Sequence, residues 1–193
     1  MSRAIPFAAG FLVLCLATPL SAQEDAKPHV AQAPQSLAAP AAKASDVASP
    51  DAILAAVYDV ISGPAGQKRD WDRFRSLFTP GARLIPAGPD KQGHIAVHAF
   101  SPEDYIRLSD PYFQKNGFAE REIARKTGRY GHILEAFSTY ESRHDAKDAA
   151  PFARGINSFQ LFYDGSRWWI VTIYWEEETP DNPLPKKFLP PGR

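Results

Sequence analysis

The chain of 193 residues is 44% hydrophobic and carries 22 Lys and Arg against 22 Asp and Glu, a formal net charge of zero. That length supports one hydrophobic core of ordinary size but hardly two. The balanced charge, with no basic stripe, excludes the electrostatic footprint of a nucleic-acid binder.

At the N-terminus Arg3 precedes an apolar run from Ile5 to Leu20, followed by the small residues Ser21 and Ala22. This pattern predicts a cleavable secretory signal peptide over residues 1–22, hence a periplasmic or secreted protein with no membrane attachment after cleavage. A spanning helix is the competing reading, but the stretch from Phe7 to Leu20 is short for one and contains Pro19. Cleavage removes Cys15, the only cysteine, and leaves neither a disulfide nor a thiol nucleophile or ligand. Residues 23–48 are rich in Ala and Pro, with almost no large apolar side chain, and read as a disordered linker. The folded domain is expected over 49–179. A proline-rich tail over 180–193 either wraps the body through Phe188 and Leu189 or stays loose.

Within the domain, Ser49, Pro50 and Asp51 open a helix whose apolar side is Ile53, Leu54, Val57, Val60 and Ile61. Asp70 caps a second, short helix with Trp71, Phe74, Leu77 and Phe78 on one side. "ARLIPA" and "HIAVHAF" read as strands, and Ser101 with Asp104 forms a capping box for a third helix that bends or ends at Pro111. After Gly117 four successive stretches, "FAEREIARKTG", "YGHILEAFSTYESRH", "ARGINSFQLFYD" and "SRWWIVTIYWEEE", are rich in aromatic and β-branched residues and read as strands. The expected fold is α+β: three N-terminal helices packed on a curved, mostly antiparallel six-stranded sheet.

This order, with "DWDRFRSLFTPGARL" early and "GSRWWIVTIYW" last, resembles the nuclear transport factor 2-like superfamily, also called SnoaL-like, over about Ser49 to Glu178. The resemblance implies a cone-shaped, cystatin-like fold that serves isomerases, dehydratases, cyclases, hydrolases and non-catalytic modules alike, so it implies no one activity.

A two-residue Asp164-Gly165 loop would place Gln160 opposite Trp169, Ser158 opposite Val171, Ile156 opposite Ile173 and Arg154 opposite Trp175. The other face would pair Leu161 with Trp168 and Phe159 with Ile170. Both faces are largely apolar, so one is expected to meet the helices and the other a partner, most simply a second copy in a homodimer. The resemblance to ketosteroid isomerase, through the "YW-acidic" ending at Trp175, implies that the face carrying Arg154, Ser158, Gln160, Trp169 and Trp175 lines the cone. It also brings Tyr58 in from the first helix. These six are the candidate ligand-binding residues, and Arg154 suits a ligand that is acidic or acceptor-rich at one end and apolar at the other. The base of that isomerase falls at Pro86 and its second aspartate at Ser158. Neither residue can abstract a proton, so that chemistry is not expected.

His94 and His98 share a strand face about 13 Å apart, too far for one metal ion. Glu120 and Glu122 alternate onto one strand face and read as a solvated surface rather than an acid–base pair. "GPAGQKR" lacks the second half of a phosphate loop. No metal and no cofactor are expected. The leading reading is an exported module that binds a small, partly apolar ligand in the cone. The alternatives are a cofactor-free lyase, isomerase or hydrolase, using Tyr58, Tyr140 or a carboxylate not yet placed, and a protein-interaction domain that dimerises through the outer sheet face.

Overall fold

The computed structural model describes residues 39–89 and 93–192; the signal-peptide reading and most of the linker reading lie outside them. The folded part begins earlier than expected. Ala44–Val47 form a short helix (α1) in which Val47 joins the core and Asp46 pairs with Arg73 at 2.7 Å. The linker reading is therefore too long at its C-terminal end, because one buried valine and one ion pair anchor a segment that composition alone marks as loose.

Helix α2 (Pro50–Ile61) starts where Ser49 Oγ accepts from the Ala52 amide, with proline in the first turn. Helix α3 (Trp71–Ser76) is capped by Asp70. The Ser101–Asp104 capping box opens α4, which runs through Pro111 to Asn116. Pro111 sits on an exposed side of the helix and forgoes only one backbone bond, so the helix does not end there.

Six strands follow the predicted order: β1 (Phe78–Pro89), β2 (Ile95–Val97), β3 (Ala119–Tyr130), β4 (Ile133–Arg143), β5 (Ala153–Tyr163) and β6 (Trp168–Glu177). They form one sheet in the order β2-β1-β6-β5-β4-β3, antiparallel throughout except for the parallel pair β1–β6. Ile53, Leu54 and Val57 of α2 and Phe74 of α3 pack with Leu84, Phe159, Leu161 and Ile170 of the sheet, and burial of this set drives folding.

The last hairpin differs from its predicted register in two ways. The Asp164 amide donates to the Arg167 carbonyl, and Asp164 Oδ1 accepts from the Ser166 and Arg167 amides. The loop is thus four residues long, and pairing begins at Tyr163↔Trp168. Val171 is then an extra residue in β6, since Leu161 faces Ile170 while Gln160 faces Thr172. Before this bulge Trp168 and Ile170 point to the core; after it Ile173 and Trp175 do.

Along β5 the inward residues are Gly155, Asn157, Phe159 and Leu161, in one unbroken alternation with the outward ones. This corrects the face assignment for Arg154, Ser158, Gln160 and Trp169, which lie on the outer face. Arg154 pairs with Glu178 at 2.7 Å, and Trp175 stands opposite Asn157 rather than Arg154. Trp169 is covered by the Arg167 guanidinium 3.6 Å from its ring centroid, and its Nε1 donates to Asp164. The expected partner-facing set of Phe159, Leu161, Trp168 and Ile170 is instead buried in the core.

The tail covers part of the outer face. The Leu184 amide donates to Glu178, Thr139 Oγ1 donates to the Phe188 carbonyl at 2.6 Å, and the Phe188 ring stacks on Phe137 at 5.5 Å.

Candidate functional site

Between α2, α4 and the inner sheet face lies a cavity of about 230 Å³. Its wall is mainly aromatic, including Tyr58, Tyr105, Phe113, Tyr140 and Trp175. Among the described residues no Lys, Arg or His lines it.

One wall carries a carboxylate. Glu120 sits at the start of β3 opposite Ser142 of β4, on the inner face. Protein encloses it, yet part of its surface stays open to the cavity. Ser142 Oγ donates to one carboxylate oxygen at 2.7 Å, and Asn157 Nδ2 approaches the other at 3.4 Å. These donors favour the charged form, but loss of water outweighs them and pushes the Glu120 carboxyl up to about 7. The reading of Glu120 as a solvated strand residue is thereby corrected: its alternation with Glu122 is real, but that face turns inward. Glu122 is half-buried and held by Arg125, which also reaches Asp51.

A hydrogen-bond chain joins the two glutamates, and its direction follows from donor counting. Glu122, paired with Arg125, accepts the single proton of Ser138 Oγ. Ser138 must then accept from the Tyr58 hydroxyl, 2.7 Å away. Asn157 Nδ2 donates to the Tyr58 oxygen at 3.0 Å and turns its remaining proton toward Glu120. Tyr58 is consequently committed to this chain. Burial first, and then the nearby Glu120 charge, drives its hydroxyl well above the ordinary tyrosine range, as it does for Tyr140 and Tyr105, so all three remain neutral donors.

Tyr140 is the exception in bonding. It is only 5% exposed, lines the cavity, and its hydroxyl makes no hydrogen bond among the described residues. Gly155 lies beneath it, where a Cβ would collide with the Tyr140 hydroxyl. The small residue in β5 is what lets that ring lie in place.

Of the six predicted ligand-binding residues, the structure brings Tyr58 and Trp175 into the cavity and leaves Arg154, Ser158, Gln160 and Trp169 outside it. Pro86 stands opposite Trp175, and the inward neighbour of Ser158 is Asn157. Sequence reasoning missed Glu120, Asn157 and Ser142. Among the described residues no group of three or more His, Cys, Asp or Glu is placed to hold a metal ion.

No protein-family model matches the chain, and no curated protein does. Solved structures do. A protein of unknown function with a cystatin-like fold from Nostoc punctiforme superposes with a TM-score of 0.50 at 9% identity, over 66% of this chain and 87% of that one. A candidate calcium/calmodulin-dependent protein kinase type II association domain from Thiobacillus denitrificans gives 0.50 at 12% identity, over 68% and 96%. A nuclear transport factor 2-like protein of unknown function from Methylobacillus flagellatus gives 0.44 at 15%, over 68% and 95%. The fold is therefore the cystatin-like α+β fold. Likeness at this level of identity defines the architecture and leaves the chemistry to the cavity.

Proposed function

We propose that this protein is a small-molecule enzyme that works by general acid–base proton transfer in the cavity between helices and sheet. The observation that carries the reading is Glu120: an enclosed carboxylate, open to the cavity, poised to gain or lose a proton near neutrality. Above its midpoint Glu120 is a base for a proton beside a carbonyl. The free Tyr140 hydroxyl, on the same cavity, supplies a neutral donor to the oxygen where negative charge develops. Tyr58 and Asn157 do not compete for substrate, since their protons are committed, and they keep a donor aimed at Glu120.

The cavity lies below the roughly 300–1,000 Å³ typical of drug-sized ligands, which supports a small, compact substrate. The N-terminal pattern of Arg3 and the run to Leu20 supports action in the periplasm or outside the cell.

Hydrogen–deuterium exchange beside the carbonyl of small cyclic and aryl ketones, followed by NMR in D₂O, tests this. Exchange faster than buffer is expected, rising with pH through about 7 and lost in Glu120→Gln. Exchange that survives that substitution would refute the role of Glu120, and no acceleration across the panel would leave a binding module without turnover.

A further inference from the structure

At the rim of the same cavity stand Phe152, 46% exposed, the half-buried Trp175, and Glu177, two residues further along the inner face of β6. The Glu177 side chain has no ion pair or hydrogen bond among the described residues. The nearest candidate in the hairpin, Arg154, is turned to the outer face and engaged by Glu178. His144, the other titratable group at this end, stacks flat on Phe152 at 4.4 Å and does not line the cavity. The acidic groups that line the cavity are thus Glu177 at the rim and Glu120 on the wall, among neutral tyrosines. Tyr140 feels both carboxylates. An anion entering this space would meet two carboxylates and no cation among the described lining residues, which reverses the preference expected from Arg154.

Resting on the cavity being the site, we propose that the substrate carries a cationic nitrogen at the end opposite its reacting carbon. The nitrogen is held at the rim between the Trp175 indole and the Glu177 carboxylate, with the apolar body in the aromatic cone. Indole faces attract ammonium groups and a neighbouring carboxylate supplies the counter-charge, a pairing that selects charge without demanding a deep polar pocket. The second, independent sign of an absent ligand is the hydroxyl of Tyr140, a residue only 5% exposed, which opens to the cavity with no partner among the described residues and awaits an acceptor there.

The test uses three probes of one shape, phenethylamine, 2-phenylethanol and phenylacetate, titrated by calorimetry into the full-length protein. Because burial raises the Glu177 carboxyl as well as that of Glu120, the titrations are run at pH 8 in the Glu120→Gln background, so Glu177 is the charge being read. Phenethylamine is expected to bind about tenfold more tightly than the alcohol, with phenylacetate weakest. Glu177→Gln, a rim change that leaves the core untouched, should bring the amine within about twofold of the alcohol. An alcohol that binds as well as the amine, or a preference that survives Glu177→Gln, overturns the cation proposal while leaving the cavity as the site. If none of the three binds, the cavity reading falls with it.

Discussion

At the scale of single residues, Glu120 shows how one enclosed side chain couples stability to pH. Its folded-state midpoint, about 7, lies above the ordinary 4.5. The folded protein therefore holds this proton more tightly than the unfolded chain does. The penalty for ionising it is absent below about pH 4.5, grows as pH rises through 7, and is constant above. Across that window the contribution amounts to roughly 3 kcal/mol. Glu120→Gln should accordingly melt higher than the unmodified protein at pH 9 and about equally at pH 5, as calorimetric scans at the two values would show. Equal melting at both would mean that the carboxylate is better solvated than its surroundings indicate. Little of this was legible beforehand. In "FAEREIARK" two glutamates alternate with an arginine, and charge alternation ordinarily marks a wet face. Here the face is inward, and Arg125, Ser142 and Asn157 supply the bonds that water would otherwise make.

At the scale of elements, capping chemistry was the reliable signal. Ser49, Asp70 and the Ser101–Asp104 box each begin a helix where sequence places it, because the bonds that close a helix start are local. Strand existence was equally legible, while strand register was not. Asp164-Gly165 suggests the shortest hairpin, but Asp164 instead collects the Ser166 and Arg167 amides and the Trp169 indole, which stabilises a loop of four. The bulge at Val171 has no sequence mark at all. In "WWIVTIYW" every position is apolar or β-branched, so alternation cannot report which residue is extra. The bulge can be tested by deletion. Without Val171, Ile170 and Ile173 would stand two apart in a regular strand, so Ile173 and Trp175 would keep their inward faces. The expected loss is only about 1 kcal/mol, with the near-ultraviolet circular dichroism retained. A deletion variant that unfolds or loses that spectrum would show that Val171 is not an insertion the ladder can shed.

At the scale of the whole molecule, the sheet has one face against the helices and the other partly against its own C-terminal tail. Phe137 and Thr139 on that outer face are met by Phe188, while Phe162, Val171 and Tyr174 remain exposed beyond it. The tail therefore restricts which part of the face another molecule can reach. Truncation after Glu178 should remove about 2 kcal/mol of apolar burial and uncover the Phe137 side of the sheet. The expected result is a lower melting temperature together with concentration-dependent association in light scattering. A truncated protein that scatters and melts as the full chain does would show the tail to be a passive covering. The predicted choice between a wrapped and a loose tail was thus posed correctly by Phe188, although only the fold shows where that ring lands.

The extra residue in β6 also bears on how this chain can be compared with others. A bulge acts on a strand as a one-base insertion acts on a reading frame: everything downstream keeps its letters and changes its meaning. Val171 leaves Ile170 and Ile173 on the same side of the sheet, so positions 173, 175 and 177 face inward where an unbulged strand would present 172, 174 and 176. A distant homologue aligned without a gap at this point would have its cavity-lining residues read from the wrong column, and its outward charges mistaken for substrate contacts. Transferring site residues onto this chain by sequence alone therefore fails first in its final strand, the very segment whose tryptophans make it easiest to align.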